Sequence, residues 1–142
     1  MIWTLRYGLI LLAVALGVGL AVRALGSTQT TNIITTLHLA VPVIIAALIE
    51  GMQYARTHRT RPPRAGTWRW AVMATVLSVA LAVLLARGAG GMAPAFAAAL
   101  SPELFARNLV VLAGLYLLIN RYLFTYGVSG HLNTMRSRGE IE

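Results

Sequence analysis

Apolar positions in this chain gather into long runs broken by short polar or glycine-rich stretches, a pattern of helices long enough to cross a bilayer. The first run, residues 7–22, is held between Arg6 and Arg23. As a helix it covers about 24 Å, short of the roughly 30 Å hydrocarbon core. Snorkelling of both arginines extends the span to residues 5–25. A cleaved signal peptide competes with this reading. Arg23, however, stands where a small-residue cleavage site belongs, so an uncleaved helix is expected. Residues 24–49 carry no charge and predict a second span over 33–54, with Thr31 or Asn32 as its cap. A third span is expected over 68–87, bounded by Arg69 and Arg87. Ser101-Pro102-Glu103 is a helix start, with serine as cap, proline first and an acidic residue in the opening turn; it begins a span over 103–126. Between the last two lies Gly88–Leu100, which opens on a flexible Gly88-Ala89-Gly90-Gly91 and whose apolar part Met92–Leu100 is too short to span.

The pattern therefore predicts an all-α membrane protein, a four-transmembrane-helix bundle forming a single membrane domain over 1–142. A basic loop over 55–67 joins spans two and three, and a tail covers 127–142. Five arginines, Arg56, Arg59, Arg61, Arg64 and Arg69, cluster at this loop. With both termini in the cytoplasm, the inner side holds these five together with Arg6, Arg121, Arg136 and Arg138, nine in all, against Arg23, Arg87 and Arg107 outside. That is the orientation basic loops favour, N-in and C-in. Trp3, Tyr7, Tyr54, Trp68, Trp70, Tyr122, Phe124 and Tyr126 fall near the same expected interface.

Composition sharpens this picture. Hydrophobic residues make up 58% of the chain and charged ones 11%, too few for the polar surface of a soluble domain, where about 25% is usual. The net charge of +8 would ordinarily raise nucleic acid as a partner. Here the charges punctuate apolar runs, so anionic lipid headgroups are the expected counter-charge, and no nucleic acid is. The absence of cysteine excludes disulfides, thiolate metal sites and thiol catalysis. An arginine-rich, lysine-free, alanine-rich composition suggests a GC-rich bacterial genome, and with it the bacterial inner membrane.

Small residues at four-residue spacing mark places where helices approach. Ala13, Gly17 and Ala21 form one such seam, Ala74, Ser78, Ala82 and Ala86 another, and Ala47 with Gly51 a third. Pro42 predicts a kink in span two, since it removes a bond to the carbonyl of His38.

Glu50 is the carboxylate that falls within a span rather than at its start. Gln53 and Tyr54 follow at i+3 and i+4 and share its face. Two readings stand. Glu50 titrates in a proton or cation site with Gln53 or Tyr54 as hydrogen-bond partner, or it forms an ion pair with Arg121, beside Asn120 at matching depth, or with Arg56. No catalytic triad, HExxH or phosphate-binding glycine motif occurs, and His38, His58 and His131 lie too far apart to ligate a haem. No catalytic residue, metal site or cofactor is expected.

The stretch Val41–Ala71, with Ala46-Ala47-Leu48-Ile49-Glu50-Gly51-Met52-Gln53-Tyr54 followed by Arg61-Pro62-Pro63, resembles a family of uncharacterised small bacterial inner-membrane proteins with four predicted transmembrane helices. Its members tend to carry a small-residue run, a glycine, an aromatic, and then Arg-x-Pro before the third helix. Glu50 stands where a small residue is usual, and Gly66 where an acidic one is. The resemblance implies the four-span fold and no activity. The expected function is non-enzymatic: an accessory or assembly subunit of a larger membrane complex, or a homo-oligomer. A small proton- or cation-coupled transporter or channel using Glu50 is the alternative.

Overall fold

The structure, a computed structural model, describes residues 2–24, 31–88 and 102–141. Among the described residues the chain is all helical, with no strand: α1 (Ile2–Ala24), α2 (Thr31–His58), α3 (Arg64–Gly88) and α4 (Pro102–Ser137). Among these residues two stretches are long and apolar enough to cross a membrane by length and composition, Arg64–Leu84 and Leu109–Ser137; Leu5–Ala21 is a shorter apolar helix. The expected caps Asn32 and Thr31 lie inside α2, and the expected cap Ser101 and the apolar segment 92–100 lie outside the described residues.

Helix α4 packs most extensively on α2 and then on α3, while α1 rests on α2 and touches α3. The four therefore form a ring in the order α1, α2, α4, α3. Glu50 near the end of α2 meets Arg6 near the start of α1, so that pair is antiparallel. Helices α2 and α4 run parallel. Gly51 lies against Phe124 and Val128, and Ala55 shares a cluster with Val128 and Leu132.

The close approach of α2 and α4 needs two glycines. A Cβ on Gly51 would stand 2.3 Å from the Phe124 carbonyl oxygen, and one on Gly127 would stand 2.6 Å from that of Leu48. Backbone oxygens cannot yield as a side chain does, so any larger residue forces the helices apart. Ala46, Ala47 and Ala55 keep the rest of that face of α2 equally low, each fully buried.

Helices α2, α3 and α4 each run beyond the span read for them from the sequence. The loop of residues 55–67 contracts to residues 59–63, because α2 continues to His58 and α3 starts at Arg64. Arg59 ends α2 with a left-handed φ of 52°, its N–H donating to the Ala55 carbonyl (2.9 Å). Pro63, which needs no N–H partner, precedes α3, and its carbonyl accepts from both the N–H and the hydroxyl of Thr67 (3.0 and 3.2 Å). The tail expected from 127 is instead three more turns of α4. Phe124, Val128, Leu132 and Met135 are buried at near-four spacing, so the apolar stripe carries the helix on. It stops at Gly139 (φ 69°), where Glu140 N–H donates to the Met135 carbonyl and Gly139 N–H to that of Arg136, each at 3.0 Å, a Schellman closure.

The seam on α1 does not pack within the chain: Ala13, Gly17 and Ala21 are exposed, and among the described residues no other helix comes within 4 Å of where a Gly17 Cβ would be. Helix α1 packs instead through Tyr7 and Leu11, with Ile10 beside them, because filling the ring's interior takes bulk from this helix. Ala74 and Ser78 on α3 and Ala47 and Gly51 on α2 are buried. Helix α2 passes through Pro42, which is itself buried, with helical residues on both sides.

Candidate functional site

Arg6 and Tyr7 are consecutive on α1, so their side chains leave the helix about 100° apart. One reaches α2, and the other points to the interior between α3 and α4. The Arg6 guanidinium grips Glu50 with both carboxylate oxygens engaged: Nε donates to Oε1 at 2.6 Å and Nη2 to Oε2 at 2.7 Å. Glu50 is fully buried, whereas the Arg6 side chain keeps 38% of its exposure. A carboxylate so placed has no water to solvate it, and the two-pronged contact supplies the charge and the donors that burial removes.

Tyr7 anchors a second polar cluster. Its hydroxyl donates to Asn120 Oδ1 on α4 at 2.7 Å and lies 2.9 Å from Ser78 Oγ on α3. With the tyrosine proton committed to Asn120, Ser78 donates towards Tyr7 and shares that proton with the Ala74 carbonyl, 2.8 Å away. Asn120 Nδ2 in turn donates to Thr75 Oγ1 at 3.3 Å. Thr75 and Ser78 share a face of α3, so one phenol and one amide tie three helices together. Every buried side-chain nitrogen and oxygen among the described residues has a hydrogen-bond partner.

An aromatic chain continues from this cluster. Tyr7 meets Trp70 edge-on at 5.6 Å, Trp70 stacks on Phe124 at 4.1 Å, and Phe124 meets Tyr54, which stacks on His58 at 4.3 Å. Arg121 lies with its guanidinium 3.9 Å over the Trp68 ring and 5.4 Å from that of Tyr122. A planar cation over an indole face is held by the ring quadrupole as well as by packing.

The expected polar group is thus divided. Glu50 pairs with Arg6 rather than with Arg121 or Arg56; Arg121 lies over the Trp68 ring, and Arg56 is exposed on the last turn of α2. Asn120 joins Tyr7. Gln53 is half-buried, with its backbone carbonyl accepting from Thr57 Oγ1, and Tyr54 belongs to the aromatic chain. Of the basic cluster, Arg59, Arg61, Arg64 and Arg69 are exposed, spread over the connection and the start of α3.

Arg6 and Tyr7, read from sequence as a flanking cation and an interfacial aromatic, are the residues that organise the site. A signal for Arg6 was present. It lies 18 residues before the end of α1 at Ala24, and Glu50 lies 19 residues after the start of α2 at Thr31. Nearly equal distances from the facing ends of two antiparallel helices put the two at about one height. Arg121, 19 residues after Pro102, offers the same count on α4, but the packing of α2 on α4 sets Gly51 against Phe124 and Val128, about one and two turns beyond Arg121. Counting along the helices therefore left two partners for Glu50, and the register and rotation of the packed helices decided between them.

Comparison with family models, with curated proteins and with solved structures finds no match.

Proposed function

We propose that this is a four-span protein of the bacterial inner membrane with both termini cytoplasmic, acting without catalysis as an accessory or assembly subunit of a larger membrane complex or as a homo-oligomer. The observation that carries the reading is the contrast between a polar interior that is internally satisfied and an exterior of bare apolar helix faces. Glu50, Asn120, Ser78, Thr75 and Tyr7 bond to one another or to Arg6. Leu5, Leu9, Leu20, Val76, Leu84 and Val110 are each at least 60% exposed. A soluble protein does not leave side chains of this kind uncovered along whole helices, whereas lipid tails or partner helices cover them. The arginine imbalance supports the orientation, and resemblance to the uncharacterised inner-membrane family agrees with it.

Purification in mild detergent followed by mass spectrometry tests the reading. A stoichiometric larger membrane protein, or a discrete oligomer of this chain, is the expected result. The competing reading, a proton- or cation-coupled transporter using Glu50, has against it the carboxylate's complete burial under a two-pronged arginine. It would displace the first if the monomer in proteoliposomes carried a proton or cation flux that Glu50→Gln abolished while leaving abundance and melting unchanged.

A further inference from the structure

Beside the α2–α3 connection the structure forms an open cleft of about 220 Å³. Three arginines from different parts of the chain line it: Arg61 from the connection, Arg64 from the first position of α3 and Arg121 from α4. Thr125 and Ser129, one and two turns beyond Arg121, continue the same stripe of α4, and Thr67 closes the wall from α3. Among the described residues, no acidic one lines the cleft. Nearby Glu50 is held by Arg6, so it neutralises none of these guanidiniums. The positive end of the α3 dipole lies at Arg64 and adds to their field. Like charges brought together at one wall repel unless an anion is supplied. Guanidinium forks and hydroxyls are the donor set that phosphate oxygens accept from.

The surroundings say where the phosphate comes from. Arg121 is pinned over Trp68, and Trp68 and Tyr122 stand 41% and 62% exposed at the same rim. Amphipathic rings in that position belong to the headgroup layer. Below them the outer faces of α3 and α4 offer Val72, Met73, Leu115 and Leu118 to acyl chains. We propose that this cleft is a binding site for the phosphate of an anionic phospholipid headgroup, made by Arg61, Arg64 and Arg121. The proposal rests on the membrane reading above and deepens it. It also separates Arg61 and Arg64 from the rest of the basic cluster: Arg56, Arg59 and Arg69 lie outside the cleft and contribute only general attraction to an acidic surface.

The test is native mass spectrometry of the full chain in detergent, titrated with phosphatidylglycerol, cardiolipin or phosphatidylcholine. Two variants that lose equal charge are compared, R61Q/R64Q/R121Q and R56Q/R59Q/R136Q. The cleft variant is expected to lose anionic-lipid retention at least tenfold, the control less than threefold, and phosphatidylcholine is expected to bind neither variant nor the parent appreciably. Should the triple variant fail to fold through loss of the Arg121–Trp68 contact, R61Q/R64Q alone, both exposed, is expected to lose retention at least fivefold. Equal losses in the cleft and control variants would overturn the site in favour of diffuse attraction. Saturable binding of inorganic phosphate that displaces the lipid would overturn the lipid source and assign the cleft to a soluble phosphate compound. Carbonate extraction of cells expressing the chain keeps the two readings apart. A chain released by carbonate sinks the membrane reading itself, whereas a retained chain with an indifferent cleft sinks the site alone.

Discussion

Removing one member of the Arg6–Glu50 pair leaves a different problem on each side. Without Arg6, a carboxylate with no exposure loses both of its charged donors; without the Glu50 charge, Arg6 still has a side chain 38% exposed that reaches outward to water or headgroups. Arg6→Leu is therefore expected to cost about 3 kcal/mol, the low end for breaking a buried pair because the arginine is partly exposed. Glu50→Gln is expected to cost distinctly less, and the double variant R6L/E50L to recover most of the loss, since neither charge is then stranded. Thermal melting in a fixed detergent orders the three variants; equal melting of the two single variants would show that the burial asymmetry carries no energy. Tyr7→Phe removes the donor to Asn120 and the acceptor for Ser78, and is expected to cost about 1 kcal/mol, the scale of an interhelical hydrogen bond. That Glu50 must have a partner was legible from its place inside an apolar run. Which arginine supplied it was not, because spacing along a helix gives height and leaves rotation to packing.

The same limit governs whole helices. Small residues at every fourth position identify a groove, but a groove shapes a contact only if the fold turns it inward. Ala47 and Gly51 do turn inward, and Gly127 on α4 completes the crossing from the other side. Ala13, Gly17 and Ala21 turn outward, because the interior between α3 and α4 is filled by Tyr7 and Leu11 from that helix. Alanine at Gly51 or Gly127 is expected to destabilise the fold by about 1–3 kcal/mol, the cost of overpacking a filled contact. Gly17→Ala, with open space around it, is expected to leave stability unchanged or raise it by up to about 1 kcal/mol through helix propensity. Denaturation in mixed micelles measures all three, and a neutral Gly51→Ala would mean that α2 and α4 separate at no cost. The continuation of α4 past residue 126 was legible after all in the spacing of Phe124, Val128, Leu132 and Met135. Ser129, His131, Asn133 and Thr134 interrupt the apolar run between these positions without interrupting its periodicity.

At the scale of the molecule, the proposed orientation rests on a difference of counts, and a difference can be erased. The expected inner side carries nine arginines and the outer side three. Because the chain has no cysteine, single cysteines report topology without a prior background to remove. Thr60→Cys and Ser137→Cys are expected to react with a membrane-impermeant maleimide only in inverted vesicles, and Ser27→Cys and Gly90→Cys only in intact spheroplasts. Replacing Arg56, Arg59, Arg61, Arg64 and Arg69 by glutamine takes five of the nine away and leaves four against three. With the bias nearly gone, positive-inside sorting no longer separates the two orientations. The expected outcome is mixed labelling, with each reporter cysteine reacting in both preparations. Persistence of a single orientation would show that something other than the arginine cluster fixes the topology. A candidate is then the Arg6–Glu50 pair that joins α1 to α2, which R6L/E50L in the glutamine background would remove.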